Sequence, residues 1–149
     1  PICVEFRHAN WFAFPNQKRV NTMLEKMGVS RVIMDTRAIY QGSGEPQKNC
    51  SNKKPNLPLS VHTTSQLCVV RYISHPIIEE NEVYLNEWAL VVSGWLREEK
   101  QVYFFIHCPE EEYSPNIAAI FYQKLKKQYP ELRDFRLDIS GMNPQLSLF

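Results

Sequence analysis

The chain has 149 residues, 44% hydrophobic and 22% charged, the composition of an ordinary globular protein with room for one core and little for a second domain. Its 17 lysines and arginines stand against 16 acidic residues, a formal net charge of +1, which excludes a broadly basic nucleic-acid coat and an acidic tail; any nucleic-acid contact has to come from a local cluster. No apolar run approaches the ~20 residues that span a bilayer.

Pro1-Ile2-Cys3-Val4-Glu5 has neither the basic start nor the apolar core of a signal peptide, and residues 2–6 read as a strand already under way. Phe14-Pro15-Asn16 opens a helix in which Val20, Met23, Leu24 and Met27 recur at i, i+3, i+4 and i+7, one apolar stripe. Gly28 is placed to end it in a left-handed conformation. Residues 31–36 follow as a buried strand, so the chain opens with a strand-helix-strand unit on short links, the signature of a parallel sheet.

The pattern then breaks. Residues 38–66 hold Gly42, Gly44, Pro46, Pro55 and Pro58 and no amphipathic period, and a structureless stretch of that length is usually functional or mobile. Residues 67–73 form the next strand, and residues 82–98 a helix with Tyr84, Trp88, Val91 and Trp95 on one face. Residues 101–108 are a very apolar strand. Ser114-Pro115 supplies a helix N-cap and first-turn proline, and Ile117, Phe121 and Leu125 are the buried stripe of a last helix that stops before Pro130. Residues 135–139 read as a final short strand. Of the four cysteines, Cys3, Cys68 and Cys108 lie in apolar runs and Cys50 in a polar loop; without a C-x-x-C pair they read as reduced thiols of a cytoplasmic protein.

This α/β alternation needs helices on both faces of an open sheet or a closed barrel. Four or five strands are too few to close an eight-stranded barrel. In such folds the C-terminal strand ends form the ligand mouth, and charge gathers there: Glu5 and Arg7, Asp35 and Arg37, Arg71, and His107. Two accounts fit. The carboxylates of Glu5 and Asp35 neutralise the arginines structurally, or the arginines bind phosphate or carboxylate while Glu5 or Asp35 serves as catalytic base or metal ligand. Strands ~4.8 Å apart bring the two carboxylates together if their strands are neighbours. The histidines show no metal-ligand spacing, so a divalent metal needs His8 and His107 to join Glu5 and Asp35 in three dimensions. No phosphate-binding glycine loop or serine nucleophile motif is present.

Val4-Glu5-Phe6-Arg7-His8 with Asn10-Trp11-Phe12 resembles the V-E-x-R-H-x-x-W/F strand and loop of the YecE-like family (domain of unknown function 72). Asp35-Thr36-Arg37 resembles its D-[TS]-R strand end, Val70-Arg71-Tyr72-Ile73 its arginine-bearing next strand, and Val102-Tyr103-Phe104-Phe105-Ile106-His107 its Y-x-F-F-N-N strand, with Ser114-Pro115-Asn116 opening the helix after it. His107-Cys108 replaces an asparagine pair. The resemblance implies the C-terminal portion of a TIM-like barrel of unestablished function. Its earlier strands would come from a missing N-terminal segment or another chain. By fold analogy with sugar-isomerase and apurinic-endonuclease barrels, it implies a sugar-phosphate or nucleic-acid ligand for Arg7, Arg37 and Arg71, with Lys53 and Lys54 nearby.

Residues 1–140 read as the barrel portion and 141–149 as a tail. The tail ends in Gln145-Leu146-Ser147-Leu148-Phe149, which resembles the QL[SD]LF motif that binds the bacterial sliding clamp; an extended tail places two apolar side chains in a pocket and the glutamine at its rim. Three readings follow: a DNA-associated protein, with or without hydrolase activity on phosphate bonds, tethered to the clamp; a carbohydrate-type hydrolase using Glu5 and Asp35, with Trp11 stacking on sugar; and a non-catalytic interaction module.

Overall fold

The computed structural model describes residues 1–134. The final strand expected over residues 135–139 and the tail motif Gln145-Leu146-Ser147-Leu148-Phe149 lie outside the described residues.

Strand and helix alternate as the apolar periods require. β1 (Cys3–Val4), β2 (Ser30–Asp35), β3 (Leu67–Ile73) and β4 (Gln101–His107) pair in parallel in the order β1-β2-β3-β4. Among the described residues this sheet does not close. β1 is two residues long rather than five, and Cys3 is exposed at its start. α1 (Asn16–Met27) crosses from β1 to β2, and α3 (Glu82–Arg97) crosses from β3 to β4; α4 (Ser114–Gln128) follows β4.

Gly28 ends α1 at φ 64°, the left-handed turn that a Cβ disfavours. The buried stripe of α1 is narrower than its sequence period: Val20 and Leu24 are buried, Met23 and Met27 exposed. They pack with Val29, Val4 and Phe6 as a small second core. The inward face of α3 is also rotated from expectation, to Leu85, Trp88, Ala89, Val92 and Trp95. With Ile117, Phe121 and Leu125 of α4, these cover Ile33, Cys68, Val70 and Tyr72 of the sheet, and Phe104 stacks on Phe121 at 4.1 Å. Ser114 is the first residue of α4 rather than its cap, and its hydroxyl accepts the Cys108 N–H at 2.9 Å.

The long segment expected to be structureless is the β2-to-β3 crossover. It begins with α2 (Arg37–Gln41), where Gly42 approaches so closely that a Cβ would lie 2.5 Å from the Ala38 carbonyl and 3.0 Å from the His75 ring. It then descends as an extended strap where a crossover helix would run. At the C-terminal end of β2 the Thr36 hydroxyl donates to the Pro55 carbonyl (3.2 Å). Halfway down, Gln17 of α1 donates to Ser60 (2.9 Å) and Leu59 packs against the main core. At the N-terminal end, the Thr64 hydroxyl accepts the Arg31 N–H (2.8 Å) and donates to the Val29 carbonyl (2.7 Å). Thr36 thus satisfies a backbone carbonyl of the strap, and Thr64 of the strap satisfies backbone groups at the start of β2.

Thr64→Val keeps the shape and removes both bonds, leaving a buried N–H and C=O unpaired. We expect a loss of about 1–3 kcal/mol, seen as a lower urea midpoint with an unchanged slope. A midpoint equal to the parent's would show that the strap is not held there.

Candidate functional site

In a parallel sheet, paired residues on neighbouring strands point to the same side and alternate along each strand. Asp35 pairs with Tyr72, while Met34 pairs with Arg71; Arg71 in turn pairs with Phe105, and Ile73 with His107. Asp35 therefore faces the helices, and Arg71, Phe105 and His107 face the opposite side. The charged strand ends, expected to share one mouth, divide between the two faces.

On the helix side, the Asp35 side chain is completely buried. Its carboxylate accepts the Trp88 indole N–H (2.7 Å), the Arg37 backbone N–H (3.0 Å) and a two-pronged contact from the Arg37 guanidinium, with Nε to Oδ1 and Nη2 to Oδ2 both 3.0 Å. Arg37 also reaches Glu87 at 2.7 Å and lies over the Tyr84 ring at 4.7 Å. Burial acts to lower the Arg37 pKa, but the bonds to Asp35 and Glu87 outweigh it and raise it above its ordinary value. The two carboxylates expected to meet do not: although β1 and β2 are neighbours, the Asp35 oxygens are engaged on the helix side, away from Glu5. Arg37 is held between Asp35 and Glu87.

The other face carries Glu5, Arg71 and His107, with Arg7 beside Glu5. Glu5 holds Arg71 (Oε2 to Nη1, 2.5 Å) and stands 3.8 Å from Arg7, so this pair reaches from the end of β1 over β2 to β3. Arg7 is half exposed. His107 lies in the field of Lys54, Glu111 and Arg71; burial first, then Lys54 and Arg71, push its pKa below 6.5, with Glu111 opposing. Trp11 packs on Phe6 at 5.3 Å, and His8 caps a short turn by accepting the Asn10 N–H at 3.3 Å. Among the described residues no three histidine, cysteine or acidic side chains are arranged to hold a metal ion, so the His8, His107, Glu5 and Asp35 set does not assemble.

Two features were not read from the sequence. Arg31 is buried at the start of β2, donates to Asn21 (2.6 Å) and to the Trp11 carbonyl (3.3 Å), and lies over the Phe12 and Phe6 rings at 4.6 and 5.2 Å. It fastens the loop that follows β1; burial lowers its pKa. Tyr103 and Phe105 stand exposed on the same side of the sheet as Arg71. Their signal was the two-residue alternation with Val102, Phe104 and Ile106, hidden in a run in which every residue is apolar or aromatic.

The family described as "Protein of unknown function DUF72" matches residues 1–138. The UPF0759 protein YecE of Escherichia coli (strain K12) is 26% identical over 132 residues, which are 87% of this chain and 48% of that protein. The crystal structure of a DUF72 family protein from Enterococcus faecalis V583 superposes with a TM-score of 0.56 at 19% identity, covering 93% of this chain and 52% of that one. The chain spans about half the length of these relatives, and those shares do not place it at either end of them. No described helix is long and apolar enough to cross a membrane.

The lowered His107 pKa fixes a sign. The unfolded chain takes up this proton more readily than the folded chain, so His107 makes stability rise with pH between its lowered pKa and 6.5, and that stability is lost as pH falls through this window. His107→Asn removes the contribution. Urea midpoints at pH ~7.5 and ~5.5 should fall less between the two in the variant than in the parent; equal falls would assign the acid sensitivity to other groups.

Proposed function

The chain belongs to the DUF72 family of proteins of unknown function, and we propose that it binds an anionic ligand, a phosphate or a carboxylate, on the open face of its sheet at the C-terminal strand ends. The observation that carries this reading is the Glu5–Arg71 pair. Among the described residues, Glu5 engages one nitrogen of Arg71, which leaves most of the five guanidinium N–H donors to meet a ligand. The carboxylate orients the guanidinium without enclosing it. Arg7 and Lys54 add fixed positive charge, and His107, whose burial favours the neutral imidazole, adds a hydrogen-bonding ring. Glu5 acts in this reading as a positioning residue, and Arg7, Arg71 and His107 as ligand contacts.

The carbohydrate-hydrolase reading requires two carboxylates flanking one bond. Glu5 and Asp35 face opposite sides of the sheet, so the anion-binding reading is preferred. The wider architecture we propose is a TIM-like barrel of which this chain, over residues 1–140, is a part. In-order parallel strands, with helices crossing from β1 to β2 and from β3 to β4, support it, and the remaining strands would supply the facing wall of the same mouth.

Calorimetric titration with inorganic pyrophosphate tests the site. Arg71→Ala should lower the affinity at least tenfold, with a shallower dependence on salt. Arg37→Ala should instead destabilise the fold by about 3 kcal/mol or more, by stranding Asp35, with the affinity of the folded fraction unchanged. Affinity that survives Arg71→Ala removes the reading.

A second reading rests on the tail sequence. Gln145-Leu146-Ser147-Leu148-Phe149, set after Gly141 and Pro144, has the pattern of a sliding-clamp ligand and would tether the protein to replicated DNA, with Leu148 and Phe149 as anchors. A peptide of residues 141–149 should shift the spectrum of purified bacterial clamp saturably, and joint Leu148→Ala and Phe149→Ala replacement should abolish the shift. Absence of binding by the parent peptide retires the tether.

A further inference from the structure

We propose that His75 is a pH-operated latch: its neutral ring fastens the start of the β2-to-β3 crossover at Ser43 to the turn after β3, and its protonation lets that crossover go. The latch lies between elements that this chain itself supplies and needs no ligand on the open face.

The two ring nitrogens have fixed and opposite duties. His75 is 3% exposed. Its Nδ1 lies 3.0 Å from the Ile77 backbone nitrogen and accepts that N–H. A backbone N–H can only donate, so Nδ1 carries no proton. Nε2 lies 2.8 Å from the Ser43 carbonyl oxygen, which can only accept, so Nε2 carries one. The ring is therefore neutral while both bonds stand. A second proton would be added at Nδ1, where it meets another donor, and the Ile77 bond has to be given up. The backbone of His75 is tied down: its N–H donates to Asn81 Oδ1 (2.8 Å), its carbonyl accepts from Asn81 Nδ2 (2.9 Å), and the Tyr72 hydroxyl donates to the same Oδ1 (2.9 Å). The ring and Ser43 are the parts left to move.

Ser43 depends on this ring and on one acid. His75 holds its carbonyl, and its N–H donates to Glu80 Oε1 at 3.4 Å. Gly42 just before it fits only without a side chain, since a Cβ would stand 3.0 Å from the imidazole and 3.3 Å from Glu80 Oε2. Glu80 belongs to the turn Ile78–Asn81. Its bonds to Ser43, with His75 adding, keep its carboxyl below the ordinary range against the effect of desolvation. The crossover brings the uncharged Gly42 and Ser43 to the ring; β3 brings Tyr72 and α3 brings Tyr84, and burial keeps both phenols protonated. An imidazolium is therefore drawn to Glu80 and repelled by the Ile77 N–H. Turning to the carboxylate, it leaves the Ser43 carbonyl and competes for the oxygen that holds the Ser43 N–H. One proton loosens both ties of Ser43. Because the fastened state excludes that proton, the crossover is held at higher pH and freed as pH falls.

What is freed is bounded. At the far end, the Lys54 N–H donates to Gln47 Oε1 (2.6 Å) and the Pro55 carbonyl accepts from Thr36, contacts with no titrating partner. A cavity of about 300 Å³, lined by Ile39, Tyr40, Gly44, Gln47 and Lys53, lies between the loop and α2, so packing does little to hold residues 44–53 once Ser43 is loose. The field of Lys54 reaches His107, so the latch sets how firmly that cation is held at the strand ends.

The test is a nuclear magnetic resonance titration of the isotope-labelled 149-residue chain from pH ~8 to ~5, reading the His75 ring nitrogens and the backbone amides. At the alkaline end the ring should show the Nε2–H tautomer. As it gains its proton, the Ser43 and Ile77 amides should shift with the same midpoint. Exchange of the Ser43 amide with solvent, corrected for pH, should quicken at least roughly tenfold. The Thr64 amide, at the other end of the strap, should stay where it is. Glu80→Gln keeps an oxygen for the Ser43 N–H and removes the charge that draws the imidazolium, so the shared midpoint should move to lower pH. His107→Asn should leave the midpoint unchanged, which keeps the neighbouring imidazole out of the account. Ser43 and Ile77 amides that do not follow the His75 ring, a ring that stays neutral throughout, or a midpoint unmoved by Glu80→Gln overturns the proposal. Thr64 shifting together with Ser43 would mean that the fold loosens as a whole, and overturns it as well.

Discussion

The fold turns on a carboxylate that cannot be left unpaired. Asp35 ends β2 with no exposed side-chain surface, and an isolated charge in such a place costs several kcal/mol. Its partners come from two elements: the backbone and guanidinium of Arg37 at the first turn of α2, and the indole of Trp88 in the middle of α3. Satisfying one residue therefore fixes the direction in which the chain leaves β2, seats α3 against the sheet, and draws Tyr84 beneath Arg37. Trp88 is itself packed against Trp95 and Phe104, so the polar contact is continuous with the main core. A network like this is stable only when it is complete.

The same commitment determines what the opposite face is free to do. Because the acid of β2 is used on the helix side, Glu5 is the carboxylate brought to Arg71, and it comes from the strand beyond. The pair bridges from β1 to β3 above the buried Met34. It is partly exposed at both ends, so solvent screening keeps its contribution to stability small. What it sets is geometry: Glu5 holds the guanidinium by one nitrogen. The Arg31 anchorage, beneath the loop that carries Arg7 and Trp11, serves the same end from the opposite side of the sheet.

Much of this architecture was legible in the residues, because helices and strands announce themselves by period. Ile117, Phe121 and Leu125 lie where their spacing puts them, Gly28 turns where the stripe of α1 ends, and the parallel order follows from short links. Quantities set by tertiary contact were not legible. Met23 and Met27 belong to the apolar stripe of α1 yet stay exposed, since the small core under α1 consists of Val20, Leu24 and Val29 with only Val4 and Phe6 packed against them. Residues 38–66 carry no period because a strap held by Thr36, Gln17 and Thr64 needs none. The family resemblance was visible in motifs spread from Val4 to Asn116, and the family match covers them. Which charged residues share a site was a different matter. Asp35 and Arg37 differ by two in sequence, like Glu5 and Arg7, and only the register of β2 against β3 reveals that the first pair faces away from Arg71.

That register also explains why β4 misleads when read as a string. Val102-Tyr103-Phe104-Phe105-Ile106 looks like a strand buried on both sides, and runs of that kind are expected where a parallel sheet is covered on both faces. Here α3 and α4 cover one side, and Tyr103 and Phe105 remain half exposed on the other. With the sheet open among the described residues, those rings and Arg71, one strand away on the same face, form the side that the further strands of the proposed barrel would face, where side chains from neighbouring strands pack in layers.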